Sequence, residues 1–425
     1  MSPMRRAQWS WAFYDWANSA FATTVMAGFF PVFFKSYWAA GVTASESTAH
    51  LGTANAVASL VAVLLAPALG VLADRAGHKK RLLLLFAALG SLMTGSLFLV
   101  EQGYWLVASG IYVLGIIAFA GGNVVYDAML LDIAERHQLE RVSALGFALG
   151  YLGGGLLFAV NVVMVVQPEW FGFADKAEAV RLAFVMVALW WALFSLPVLL
   201  FVPDRAAGGV RPGRGVGTGW QELRETWRLL RRLRMAFIFL IAYWFYIDGV
   251  DTVVRMGVDY GLSLGFAAES LLTALLITQV VGFPAALLFG RLGERIGAKR
   301  AIWLAIAVYV LVVFWATRMA ESWEFYVMAV AIGLVQGGIQ AMSRALYARM
   351  IPVEHAGRLF GLYNMMGKFA AIIGPLLVGW VTLATDSARV GILSILVLFA
   401  IGGVLLSRVD VAVGERDALN AGGGR

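Results

Sequence analysis

The stretch FYIDGVDTVVRMGVDY (residues 245–260) continues an apolar run that begins MAFIFLIAYW, and it sets Asp248, Asp251, Arg255 and Asp259 inside that run. Trp244, Asp248, Asp251 and Arg255 recur at i, i+4, i+7 and i+11, which is one stripe of an α-helix. Two carboxylates three residues apart are close enough to influence each other's protonation, and surroundings of low polarity strengthen that influence. Such a pair can take up and release a proton without any cofactor. A cation in a second apolar run, Lys368, can neutralise one of the two or hold a solute carboxylate. The competing reading is structural: a buried Asp–Lys or Asp–Arg pair that only orders a bundle.

Other polar groups interrupt apolar runs in the same way. Asp15 and Asn18 stand at i, i+3; Asn123, Tyr126 and Asp127 form a second set; Gln336, Gln340 and Arg344 repeat every four residues. Tyr243 and Tyr246 flank Trp244 and are weaker candidates, because aromatic residues are common in such runs. An ionisable side chain within hydrocarbon costs about 2.5–3.5 kcal/mol on insertion scales, so such groups face a bundle interior or a wet cavity. Asp127 and Arg344 lie nearer the ends of their runs and also read as latches between helices. Asp15 also reads as a helix-start residue favoured by the dipole.

These side chains need elements that place them at membrane depth, and the composition supplies them. Of 425 residues, 61% are hydrophobic and 14% charged, too few charges for an ordinary water-facing surface. Twelve apolar segments, near residues 10–37, 51–73, 82–101, 104–131, 142–166, 179–202, 234–258, 267–290, 300–318, 323–346, 357–384 and 388–407, can each cross a bilayer as a helix. None alternates with the period of two that a β-barrel requires. The fold class expected is an all-α polytopic membrane protein. Its domains are a six-helix bundle over 1–202, a linker over 203–233, a second six-helix bundle over 234–410 and a tail over 411–425.

Basic residues orient the chain. With both termini in the cytoplasm, the great majority of the 33 Lys and Arg fall on the cytoplasmic side. Lys35, Lys176, Arg181, Arg255, Arg318 and Arg389 fall on the other side, and Lys368 within a span. The net charge of +7 is then mostly this bias and calls for no nucleic-acid partner. The linker arginines Arg224, Arg228, Arg231, Arg232 and Arg234 suit anionic membrane lipids. The first run is too long for a signal peptide's apolar core, so MRRAQW reads as a cytoplasmic flank. A bacterial inner membrane fits this multi-pass pattern. The Gly-rich end LNAGGGR is given no role.

The two halves repeat. GVLADRAGHKK (residues 70–80) follows the second run and GRLGERIGAKR (290–300) the eighth. Gly70/Gly290, Arg75/Arg295 and Gly77/Gly297 are identical, while Asp74/Glu294 keeps its charge. A six-span repeat marks a transporter that rocks one half against the other. Asp74 is placed to accept hydrogen bonds from the first turn of a facing helix and so to latch one side closed. The plainer reading is a tight, basic turn.

GVLADRAGHKKRL resembles the loop signature of the major facilitator superfamily. YDWANSAFATT, GGNVVYDAMLLDI, AYWFYIDGVDTV, QGGIQAMSRALYARMIP and GKFAAIIGPLL are similar to blocks of its vacuole-effluxer-like, autophagy-related amino-acid-effluxer-like branch. The resemblance covers both halves. It implies two pseudo-symmetric six-helix bundles, with spans one, four, seven and ten around a central cavity, and a protein that works as a monomer. GFALGYLGGG (residues 146–155) is similar to an antiporter-associated pattern at its glycines, but Tyr151 stands where the pattern has proline. The alternative for that stretch is close packing of small residues between helices.

Other chemistry finds no footing. His50, His78, His137 and His355 have neither metal-ligand spacing nor a nucleophile beside them, and there are no cysteines. The phosphate-cradling G-x-x-x-x-G-K-[ST] is absent. The expectation is a non-enzymatic secondary transporter without cofactor or metal. It would move a small polar or zwitterionic, amino-acid-like solute by alternating access, as proton-coupled efflux. A lipid or lysolipid flippase on the same fold is the alternative, and a non-transporting sensor a lesser one.

Overall fold

The computed structural model describes residues 2–76, 79–203, 219–263 and 268–422. Twelve helices are long and apolar enough to cross a membrane. We number them α1 (Pro3–Trp38), α2 (Ala44–Ala76), α3 (Lys79–Ser96), α4 (Trp105–Ile133), α5 (Leu139–Val166) and α6 (Lys176–Phe201). The second set is α7 (Arg234–Ser263), α8 (Ala268–Ile296), α9 (Ala298–Ala316), α10 (Ser322–Arg349), α11 (Ala356–Thr385) and α12 (Ala388–Ser407). No strand occurs among the described residues. The all-α fold with twelve spans is therefore as the sequence led us to expect.

Local chemistry explains where the helices begin. Ser2 accepts from the Arg5 N–H with Pro3 at the first helical position, and Asp175 accepts from Glu178 N at 2.8 Å. Glu321 and Glu324 cap α10 reciprocally. Between α8 and α9 the chain turns on Gly297, whose φ of 87° is open to glycine at little cost. A short helix, Gly219–Arg232, occupies the second part of the linker. Another, Val411–Gly422, follows α12 where the sequence alone suggested no structure. Its Gly414 rests on Met350 and Met235.

An even number of spans returns both termini to one side. Two pairs of helices carry most of the contact between the sets: α2 lies along α11, and α5 along α8, with α5 also touching α10 and α4 touching α11. The glycines of α5 explain how closely it also packs on α1. A Cβ at Gly150 would meet Ser19 at 2.7 Å, one at Gly153 would meet the Trp16 ring at 2.6 Å, and one at Gly154 would meet Thr23 at 2.8 Å. Small-residue packing is thus what the glycines of GFALGYLGGG do.

Candidate functional site

Arg344 is the centre of the polar groups at membrane depth. It sits on α10, is 2% exposed, and reaches across to the first six helices. Its Nη1 donates to Asp127 Oδ1 at 3.0 Å, its Nε to Ser143 Oγ at 2.9 Å, and its Nη2 to the Ser143 carbonyl at 2.8 Å. Three rings surround the guanidinium: Phe147 at 4.4 Å, Trp11 at 4.9 Å and Tyr126 at 5.3 Å from their centroids. A planar cation that is hydrogen-bonded at its edge and enclosed by ring faces is a use that arginine serves and lysine does not.

The network continues on both sides. Asn364 of α11 donates to Asp127 Oδ2 at 2.8 Å, while the Tyr126 hydroxyl donates to Asp15 Oδ2 at 3.3 Å. Tyr126 stacks flat on Trp11, centroids 4.2 Å apart, and the Trp11 indole N–H donates to the Tyr126 carbonyl. Ser19 donates to Asp15 Oδ1, and Asn18 to Asn123 Oδ1 at 2.8 Å. Asp15, Asn123, Tyr126, Asp127 and Arg344 are therefore brought together. Ser143, Asn364, Trp11 and Phe147 belong with them, although the sequence reading did not single them out. One signal was available: Asn364 lies one helical turn before Lys368.

The acidic stripe of α7 divides. Asp248 is buried among the second six helices, where its Oδ1 accepts from Gly374 N at 3.0 Å and from Thr252 Oγ1 at 3.3 Å. Gly374 precedes Pro375, an interruption inside α11. Asp248 Oδ2 is buried with no hydrogen-bond partner among the described residues. Asp251 is half-buried on the same helix. Lys368 Nζ lies 5.8 Å from the Phe119 ring, so α11 sends this cation towards α4. Trp244 is half-buried, and its indole N–H has no acceptor among the described residues. The side chains of Arg255 and Asp259 lie outside the described residues.

Other candidates fall elsewhere. Tyr243 stacks on Tyr363 at 4.3 Å in an aromatic column, and Tyr246 is hydrogen-bonded to Ser343 at 2.7 Å. Both are buried. Gln340 is half-buried on α10. Gln336 borders an apolar cavity inside the second six helices, which is walled by Val253, Val312, Met328, Ile332, Ile392 and Ile395. That cavity is separate from the charged network.

The two copies of the repeated loop motif differ. Asp74 accepts from Gly357 N at 2.6 Å and Arg358 N at 2.9 Å, the first turn of α11, and the Arg358 guanidinium lies 3.4 Å away. Gly70 meets Gly357 backbone to backbone. In the second copy Gly290 packs on Ala144 of α5, but Glu294 and Arg295 are exposed. The first turn of α5 already holds an acid of its own, Glu140, which would repel Glu294. Glu140 instead takes Arg349 of α10 in a two-point contact of 2.6 and 2.7 Å. Arg349 also reaches Glu415 of the terminal helix at 3.2 Å. The Arg75 side chain and Gly77, like His78, lie outside the described residues.

With twelve helices, a duplicated loop and a polar network crossing the two sets, the fold is that of a major facilitator transporter. It superposes on FucP, a major facilitator superfamily transporter in the outward conformation, with a TM-score of 0.71 over 96% of this chain and 99% of that one, at 11% identity. Residues 48–419 match the family described as "Vacuole effluxer Atg22 like". The chain belongs to that family. It is 38% identical, over 94% of each chain, to the MFS-type transporter YxiO of Bacillus subtilis. It is 27% identical to Autophagy-related protein 22 of Cryptococcus neoformans over 66% of this chain, and the match spans 54% of that longer protein.

Proposed function

We propose that this protein is a secondary active transporter that exports a small polar or zwitterionic, amino-acid-like solute by alternating access, coupled to protons. The carrying observation is the Asp127–Arg344–Ser143 junction, a buried charge pair at membrane depth with one member in each half of the chain. A solute with both charges could replace each partner in turn, its carboxylate for Asp127 against Arg344 and its ammonium for Arg344 against Asp127 or Asp15. The halves proposed are residues 1–202 and 234–410, joined by 203–233 and followed by 411–425.

Proton coupling is assigned to Asp248 and Asp251, with Lys368 as the neutralising cation. The proton is placed on Asp248 Oδ2, a buried oxygen with no hydrogen-bond partner among the described residues. The protein works as a monomer among lipids, with both termini in the cytoplasm of a bacterial inner membrane. Its partners are the solute and protons.

The test is counterflow of labelled amino acids and dipeptides in proteoliposomes, with and without a pH gradient. Asp251→Asn is expected to abolish the gradient's effect while the protein stays folded and inserted. An unchanged gradient response would remove Asp251 from the coupling. A second reading, lysolipid flipping, draws on the apolar cavity beside Gln336. Transfer of a lysolipid without transport of any amino acid or peptide would put that reading first.

A further inference from the structure

Tyr151 is not part of the charged network, yet its ring bridges the two halves. It projects from the middle of α5 and lodges between Gly282, in the middle of α8, and Gly337 of α10. A Cβ at position 282 would lie 2.8 Å from the ring, and one at 337 would lie 2.7 Å from it. Real Cβ contacts do not come that close, so only glycine at both positions leaves room for the ring.

Most hydrogen bonds that cross between halves lie on the terminus-bearing side of this ring, at Asp74, Asp127, Ser143, Arg344 and Arg349. Opposite them, Gln279 Nε2 donates to Thr23 Oγ1. Opening the terminus-bearing side requires α5 and α8 to part there. A ring seated in a socket of the opposite half has to leave it.

We propose that Tyr151 is the plug of the solute path, and that Gly282 and Gly337 form the socket that receives it when the terminus-bearing side is closed. The proposal rests on the alternating-access reading. On this proposal the seated ring blocks passage between α5, α8 and α10.

The experiment is a distance measurement on the full chain in nanodiscs, at pH 5 and pH 8. Spin labels are placed on cysteines that replace exposed Glu135 and Arg295 on the terminus-bearing side. No native cysteine competes. Gly282 is the cleaner socket position, because its nearest neighbours are all atoms of Tyr151.

Gly282→Ala is expected to lower the closed-to-open ratio at least tenfold. Tyr151→Ala added to it should restore the ratio, since no ring is left to exclude. Tyr151→Phe, which keeps the ring, should leave the ratio as in the parent. If the parent shows two populations and Gly282→Ala leaves them unchanged, the plug is refuted and alternating access stands. If Gly282→Ala shifts them and Tyr151→Ala does not restore them, the glycine serves helix packing and the plug is again refuted. A single population at both pH values in every variant would overturn both readings.

Discussion

Arg344 reaches three hydrogen-bond acceptors in fixed directions while three rings cover its faces, and lysine can match neither arrangement. Arg344→Lys should keep the protein folded and cut transport at least tenfold, as read by counterflow in proteoliposomes. Arg344→Ala leaves Asp127 buried without its counter-charge. The cost of breaking such a pair is about 3–5 kcal/mol, to be read as a lowered unfolding midpoint in detergent. Stability equal to the parent would mean that Asp127 needs no counter-charge beyond the Asn364 amide that already donates to it. At this scale the sequence was half legible. The i, i+4, i+8 stripe of Gln336, Gln340 and Arg344 pointed to the arginine. Its partners come from α1, α4 and α5, and no local spacing links residues that meet only after those helices pack. Asp248 and Asp251 looked equivalent as letters, but three residues turn a helix far enough to bury one against α11 and leave the other half-buried.

Among the elements, the repeated loop motif was legible as a duplication, but its asymmetry was not. Asp74 caps α11, whereas Glu294 stays exposed because Glu140 occupies the corresponding turn of α5. A carboxylate at a helix N-terminus is worth about 0.3–1 kcal/mol when exposed and up to about 2 kcal/mol when partly buried. Asp74→Ala should therefore raise the terminus-side-open population several-fold. Faster modification of a cysteine replacing Gln340, by a membrane-impermeant maleimide added on the terminus-bearing side, would report it. Glu294→Ala should leave that rate unchanged. Equal effects of the two substitutions would reduce both loops to topological turns. The terminal helix was missed because its Gly-rich end masks a short amphipathic stretch whose acid, Glu415, finds Arg349 only in the folded chain.

For the whole molecule, twelve apolar runs and their basic flanks were enough to anticipate the fold, because hydrocarbon forces each segment to satisfy its backbone as a helix. The charge bias further predicts that a cysteine replacing exposed Glu354 is labelled only from the cytoplasm. One replacing exposed Trp170 should be labelled only from outside. The reverse pattern in intact cells would invert the topology. The meeting of Gly70 with Gly357 has a consequence at this scale. Where two backbones touch with no side chain between them, no rotamer can stretch to keep partial contact as the helices part. Attraction between packed atoms fades within about an ångström, so the closure proposed above would behave as a click rather than a spring. On the alternating-access proposal, a bundle joined in that way would spend little time ajar, and the two compartments would not share one continuous water-filled passage.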